Sequence, residues 1–206
     1  AGRAFCAGQD LADVDMAGDL GERVGDVVEH LYNPIIKLIC ALDAPVICAV
    51  NGVAAGAGAN IALACDLVFA AESASFIQSF CKIGLIPDSG GTYFLPRLVG
   101  LQQAKIMTML GDKLSAVDAK EIGLIYKVVS NDELMQEVNA FASRLAQEPT
   151  RGLALTKQAL HASLSNSLEE QLVLEKELQA EAASSHDFRE GVTAFLEKRK
   201  PEFKGN

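Results

Sequence analysis

The chain has 206 residues, half of them hydrophobic and 22% charged, which is enough to bury a sizeable core and argues against disorder. Lys and Arg number 18 against 27 Asp and Glu, a formal charge of −9. This acidity excludes the basic footprint of a nonspecific nucleic-acid binder, and no polybasic stretch is present to hold an anionic membrane surface. No apolar run reaches the roughly 18 residues of a membrane span, and the N-terminus lacks the basic–apolar–small order of a secretory signal. The cytoplasm is the expected compartment. Five cysteines, odd in number and without a C-x-x-C pair, predict neither a disulfide framework nor a metal site. They read as small buried hydrophobes.

In chain order, residues 11–24 are polar and glycine-containing (Asp13, Asp15, Gly18, Asp19, Gly21) and read as a mobile loop. Val24–Leu42 has apolar residues at helical spacing, with Pro34 predicting a kink or break. Val46–Val50 reads as a strand buried on both faces. Asn51–Ala59 reads as a loop that opens an apolar helix through Cys65. Leu67–Ala71 and Ala74–Phe76 read as strands, and Gly84–Thr92 as a loop. Helices are expected through Leu95–Leu98, over Gln102–Leu110, and over Ser115–Ile122 with Ser115 as N-cap and Gly123 as stop. Leu124–Val129 is an expected strand and Asn131–Ala146 an expected helix. The remainder is helical: Thr150–Ser163, Ser167–Ala183 and Asp187–Lys198. Strands alternating with helices predict an α/β core, here 1–147, followed by an all-helical region, 148–206.

The chemically informative stretch is Cys48-Ala-Val-Asn-Gly-Val-Ala-Ala-Gly-Ala-Gly-Ala-Asn-Ile-Ala-Leu. Residues this small let a ligand approach the backbone, and the helix start beyond offers unpaired N–H groups at the positive end of a macrodipole. A P-loop would need Gly-Lys-Ser/Thr where the chain has Gly58-Ala-Asn. A dinucleotide fingerprint has its first two glycines, Gly56 and Gly58, but then Ile61. An oxyanion hole and close helix–strand packing without a ligand both remain open.

Three strings occur in this order: Arg3-Ala-Phe-Cys-Ala-Gly-Gln-Asp-Leu, Asn51-Gly-Val-Ala-Ala-Gly-Ala-Gly and Gly84-Leu-Ile-Pro-Asp-Ser-Gly-Gly-Thr. Together they resemble the enoyl-CoA hydratase/isomerase (crotonase) superfamily, over essentially the whole chain. The resemblance implies an α/β crotonase spiral of ββα units with a C-terminal helical region for trimer assembly. A homotrimer or dimer of trimers follows as the expected assembly, and an acyl-CoA thioester as the partner. It implies no metal and no separate cofactor, coenzyme A being part of the substrate. It assigns the two oxyanion-hole N–H groups to Cys6 and Ala57. Ala4, Ala7, Gly8, Gln9, Asp10, Gly58 and Phe80 fall at substrate or CoA positions, as do Phe195 and Lys198 near a subunit boundary. Family members also carry strands before the first motif, so the resemblance implies an N-terminally truncated chain opening at Ala1. Arg3 and Lys198 are the expected local offsets to the acidic charge.

The departures from the family pattern bear on chemistry. The two glutamates of the hydratases fall on Asn60 and Phe80, neither of which transfers protons near neutral pH. Asp88 is the carboxylate that isomerase-type members retain, and Phe80, Ile83, Leu85 and Ile86 are expected to desolvate it. Asp10 reads as a capping residue. His30, His161 and His186 read as structural for want of a paired Asp or Ser. The wording is most similar to the branch that converts a ring-epoxide of phenylacetyl-CoA to an oxepin-CoA. The alternatives are double-bond migration in a 3-enoyl-CoA, a catalytically silent acyl-CoA-binding subunit, and displacement of an aryl halide.

Overall fold

The computed structural model describes residues 2–13 and 19–206. Ala1, Asp15 and Gly18 of the expectations above lie outside the described residues. The elements run β1 (Ala4–Cys6), α1 (Leu20–Val27), a π-helical turn (Val28–Tyr32), α2 (Asn33–Ala41), β2 (Ile47–Val50), β3 (Val53–Ala55), α3 (Ala57–Ala64), β4 (Leu67–Ala71), β5 (Ser75–Ile77), a 3₁₀ turn (Ser79–Ile83), α4 (Gly91–Leu110), β6 (Leu114–Ser115), α5 (Ala116–Glu121), β7 (Lys127–Val129), α6 (Leu134–Leu145), α7 (Thr150–Ala162), α8 (Leu168–Ser184) and α9 (His186–Glu197). Two compact units result. One is Ala1–Ala41 with Val46–Val138, the other Leu42–Pro45 with Asn139–Asn206.

In the first unit the strands form two sheets, ordered β1-β3-β5-β6 and β2-β4-β7. From β1 to β5 successive strands alternate between the sheets, β2 and β4 in one and β1, β3 and β5 in the other, before β6 adds beside β5. The pairings β1–β3, β3–β5, β2–β4 and β4–β7 are parallel, while β5–β6 is antiparallel. Parallel neighbours need a crossover, which a strand of the other sheet plus a helix supplies. Each ββα repeat therefore advances both sheets by one strand.

The core contains Val50, Ala54, Ala59, Phe69, Phe76 and Leu95, each at most 1% exposed. β4 is buried almost throughout, as its continuous apolar run predicts. β2 alternates half-buried and buried residues, so it is not the doubly buried strand expected. None of the five cysteines is in a disulfide, and only Cys48 is buried.

Several local expectations are corrected. Leu20–Val24, read as loop, are helical because the Asp19 carboxylate accepts Glu22 N–H at 3.1 Å and caps α1. The break near Pro34 is the π turn Val28–Tyr32, just ahead of the proline. β3 and β6 hide in stretches read as loops: Val53-Ala-Ala carries little strand propensity, and its partners β1 and β5 supply the ladder. Gly100 (φ 76°, ψ 160°) interrupts α4 between the two expected helices. Ser115 caps α5 as expected, accepting Asp118 N–H at 3.1 Å.

In the second unit α7 packs on α8 and α8 on α9. Ser167 and Glu170 form a reciprocal capping box at the start of α8. Asp187 is 2% exposed and accepts Lys204 N–H at 2.7 Å and Gly205 N–H at 2.8 Å. Arg199 grips both Glu190 oxygens at 2.6 and 2.9 Å, and Glu202 N–H adds a third bond at 2.8 Å. These bonds, the Arg199 pair foremost, hold the Glu190 carboxyl down at about 2. Folding lowers this pKa, so the stability it contributes is present above 4.5 and lost as pH falls toward about 2.

The first unit turns on one close approach. β1 lies against the small-residue segment so tightly that a Cβ at Gly52 would stand 2.2 Å from the Arg3 carbonyl oxygen, and one at Gly58 2.3 Å from that of Cys6. Gly58→Ala is therefore expected to destabilise the protein by about 3 kcal/mol or more, since backbone must shift. Gly152→Ala, where no atom lies within 4 Å of the new Cβ, is expected to raise stability by up to about 1 kcal/mol. Urea denaturation of both variants checks this. Equal midpoints would contradict the packing constraint.

Candidate active site

Three segments of the first unit surround a cavity of about 490 Å³, within the range of small-ligand sites. The loop after β1 contributes Ala7, Gly8 and Gln9; the β3–α3 junction contributes Gly56 and Ala57; Ser79–Asp88 contributes Phe80, Ile83, Leu85 and Asp88. α1 and the π turn close another side with Val24, Val27, Val28 and Tyr32. The wall is largely apolar.

Ala57 is the first residue of α3, so its N–H has no acceptor four residues back. The loop after β1 passes directly over it: a Cβ at Gly8 would lie 3.4 Å from Ala57 N. Cys6 is not a lining residue, but its carbonyl abuts Gly58, the next residue of α3. The segments carrying Cys6 and Ala57 are thus neighbours by backbone contact.

Asp88 is half-buried in the loop before α4. Its Oδ1 accepts the Ser89 hydroxyl at 2.8 Å. Burial raises its pKa from 3.8, and the Ser89 hydrogen bond partly opposes the rise. Ser89 is 1% exposed and has φ 48°, a left-handed conformation uncommon outside glycine. The surroundings hold it there. The Asp88 carbonyl accepts Gly91 N–H and Asn60 Nδ2, each at 2.8 Å, and Asn60 Oδ1 accepts Gln78 Nε2 at 2.8 Å. Asn60 and Gln78 are at most 1% exposed. Asn60 is therefore a buried brace from α3 to the Asp88 loop. Phe80, 7% exposed, forms part of the apolar wall.

The remaining expected residues are placed as follows. Gly58 is buried in α3, and Ala4 lies exposed on β1; neither lines the cavity. Asp10 is exposed and accepts Ala12 N–H at 3.0 Å, which makes it a turn cap. Ile86 is 79% exposed and off the cavity, so the expectation that it desolvates Asp88 is corrected. Phe195, 83% exposed on α9, and Lys198, the left-handed C-cap of α9, belong to the second unit. His186 does have a carboxylate neighbour, Asp187 at 3.3 Å, and this pair sits at the start of α9.

Tyr32 was not singled out by the sequence. Its hydroxyl donates to Gln9 Oε1 at 3.0 Å. Burial first, then the nearby Asp88 and Cys6, raise its pKa above 10.0, which keeps it a hydrogen-bond donor. An aromatic residue two positions before Pro34 was the one available signal.

The sequence profile described as Enoyl-CoA hydratase/isomerase matches residues 1–206. This chain belongs to that family. It is 51% identical over 207 residues to the 1,2-epoxyphenylacetyl-CoA isomerase of Escherichia coli (strain K12), covering 100% of this chain and 79% of that protein. It is 48% identical over 204 residues to a protein of Rhodobacter capsulatus named "Probable enoyl-CoA hydratase", covering 99% and 78%. The crystal structure of an enoyl-CoA hydratase from Bacillus anthracis superposes with a TM-score of 0.91 at 37% identity, covering 99% of this chain and 78% of that one. The two sheets built from ββα repeats are the crotonase fold.

Because folding raises the Asp88 pKa, the stability linked to it is present below the unfolded value and lost as pH rises through the folded one, the reverse of Glu190. A carbon-13 titration of the Asp88 carboxyl is expected to show a midpoint above 3.8. Ser89→Ala removes a donor to the ionised form and should move that midpoint further up. A wild-type midpoint at or below 3.8 would contradict the burial argument.

Proposed function

We propose that the protein is an acyl-CoA isomerase that rearranges 1,2-epoxyphenylacetyl-CoA to an oxepin-CoA. The observation that carries this reading is the half-buried Asp88 in a largely apolar cavity that also holds Ala57. The family resemblance puts the two glutamates of the hydratases at Asn60 and Phe80. Asp26 also lines the cavity, but it is exposed on α1.

In this reading the thioester carbonyl accepts hydrogen bonds from Cys6 N–H and Ala57 N–H. Such donors acidify the adjacent carbon and stabilise the enolate-like state, by about 3–4 kcal/mol each. The carbon–carbon bond shared by the epoxide and the six-membered ring opens, its electrons joining the ring π bonds of the seven-membered oxepin, while Asp88 removes a proton from the carbon beside the thioester and returns it to a ring carbon. One carboxylate of raised pKa serves both transfers, and the atoms balance without water. Hydration would need a second proton-transferring group to activate water. Asn60 is committed to bracing the Asp88 carbonyl, and Phe80 has no exchangeable proton.

Asp88→Asn is expected to lower isomerase turnover about 10²–10⁴-fold with little change in thioester affinity. Turnover of the ring-epoxide thioester and of a 3-enoyl-CoA, compared as kcat/KM, identifies the preferred acyl group; the reading expects the epoxide. Near wild-type turnover by the variant would remove Asp88 from the mechanism. A preference for the 3-enoyl-CoA would assign the chain to double-bond migration, and turnover of neither would leave a binding subunit.

A further inference from the structure

Val24, Val27 and Val28 face the cavity at the i, i+3, i+4 spacing of one helix face. In an uninterrupted α-helix the next residue centred on that face is Leu31. It is instead 61% exposed, and Tyr32 lines the cavity. The cause is the π turn Val28–Tyr32, which takes more residues per turn than an α-helix and so holds the following positions back by roughly one residue. A regular helix would present both Leu31 and Tyr32, at i+7 and i+8, on that face; the irregularity turns the leucine out and leaves the phenol on the wall of the site.

The phenol is also aimed. Its hydroxyl donates to Gln9 Oε1 at 3.0 Å, on the loop that passes over Ala57. Asp88, in the same cavity, is an acceptor when ionised. An ether or epoxide oxygen is an acceptor only, so it needs a donor; the cavity wall also carries Gln9, Arg23 and Ser79, but Tyr32 is the one that continues its apolar valine face. Burial and the Asp88 charge keep the Tyr32 proton in place. Gln9 is exposed, so water can satisfy its oxygen once the hydroxyl turns to a ligand.

We infer that Tyr32 is a specificity residue that donates a hydrogen bond to an ether-type oxygen carried by the acyl group, selecting oxygen-bearing ring thioesters over hydrocarbon ones. This rests on the reading of the cavity as the acyl site. Gln9 holds the hydroxyl in position until the ligand arrives, and Asp88 acts on the carbon frame beside it.

The test uses an isosteric pair, 2-methoxyphenylacetyl-CoA and 2-ethylphenylacetyl-CoA, which differ by an oxygen for a methylene. Calorimetry on the full chain is expected to show the methoxy thioester bound about tenfold more tightly. Tyr32→Phe should abolish that preference. In turnover, Tyr32→Phe should lower the ratio of kcat/KM for the epoxide over a 3-enoyl-CoA by a similar factor. No preference in the wild type, or a preference that survives Tyr32→Phe, would overturn the inference. Failure of the wild type to bind either thioester would instead overturn the acyl-site reading beneath it. Loss of turnover in Asp88→Asn with the methoxy preference intact would separate recognition from chemistry.

Discussion

The site depends on backbone lying on backbone. β1 approaches the β3–α3 junction so closely that neither Gly52 nor Gly58 has room for a Cβ. The approach brings the segment carrying Cys6 against the start of α3, where the first N–H groups have no acceptor within the helix. Any side chain at Gly52 or Gly58 would push the two segments apart. The small-residue composition of 51–59 is thus a geometric requirement before it is a chemical one. The parallel β1–β3 pairing and the Asn51 amide, which donates to the Gly2 carbonyl at 3.0 Å, pull β1 into that contact.

A second constraint orients the carboxylate. Gln78 donates to Asn60, and Asn60 donates to the Asp88 carbonyl, so one buried chain of hydrogen bonds fixes the loop from inside α3. Leaving such groups unpaired would cost about 1–3 kcal/mol each, so a chain of this kind holds its members in one arrangement. It keeps Ser89 in its left-handed conformation and Asp88 half-buried at the cavity. Asn60 thereby ties the helix bearing the Ala57 N–H to the loop bearing Asp88.

The sequence was informative where local pattern and short-range chemistry decide the outcome. Caps such as Ser115 and Ser167, the stop at Gly123 and the buried run of β4 follow from residue type and spacing. The small-residue segment and the Asp88 turn were legible because glycine and proline mark backbone need. β3 and β6 were not, since Val53-Ala-Ala and Leu114-Ser gain their strand character from partners distant in the chain. The brace joins Asn60 to Gln78, 18 residues further on, and to Asp88, 28 further on, beyond any local pattern. Tyr32 was hidden because the π turn, which leaves no residue signature, decides that it and not Leu31 faces the cavity. Ile86 fails for the opposite reason, because adjacency to Asp88 in sequence does not place it on the same side of the loop.

The account stands on two amides and one carboxylate meeting a single thioester. A crystal structure of the protein with a non-reactive acyl-CoA analogue tests this most directly. The thioester oxygen is expected within about 2.7–3.1 Å of both Cys6 N and Ala57 N, with the adjacent carbon facing an Asp88 oxygen. A thioester oxygen directed away from these amides, or an acyl group lying outside the cavity, would contradict it.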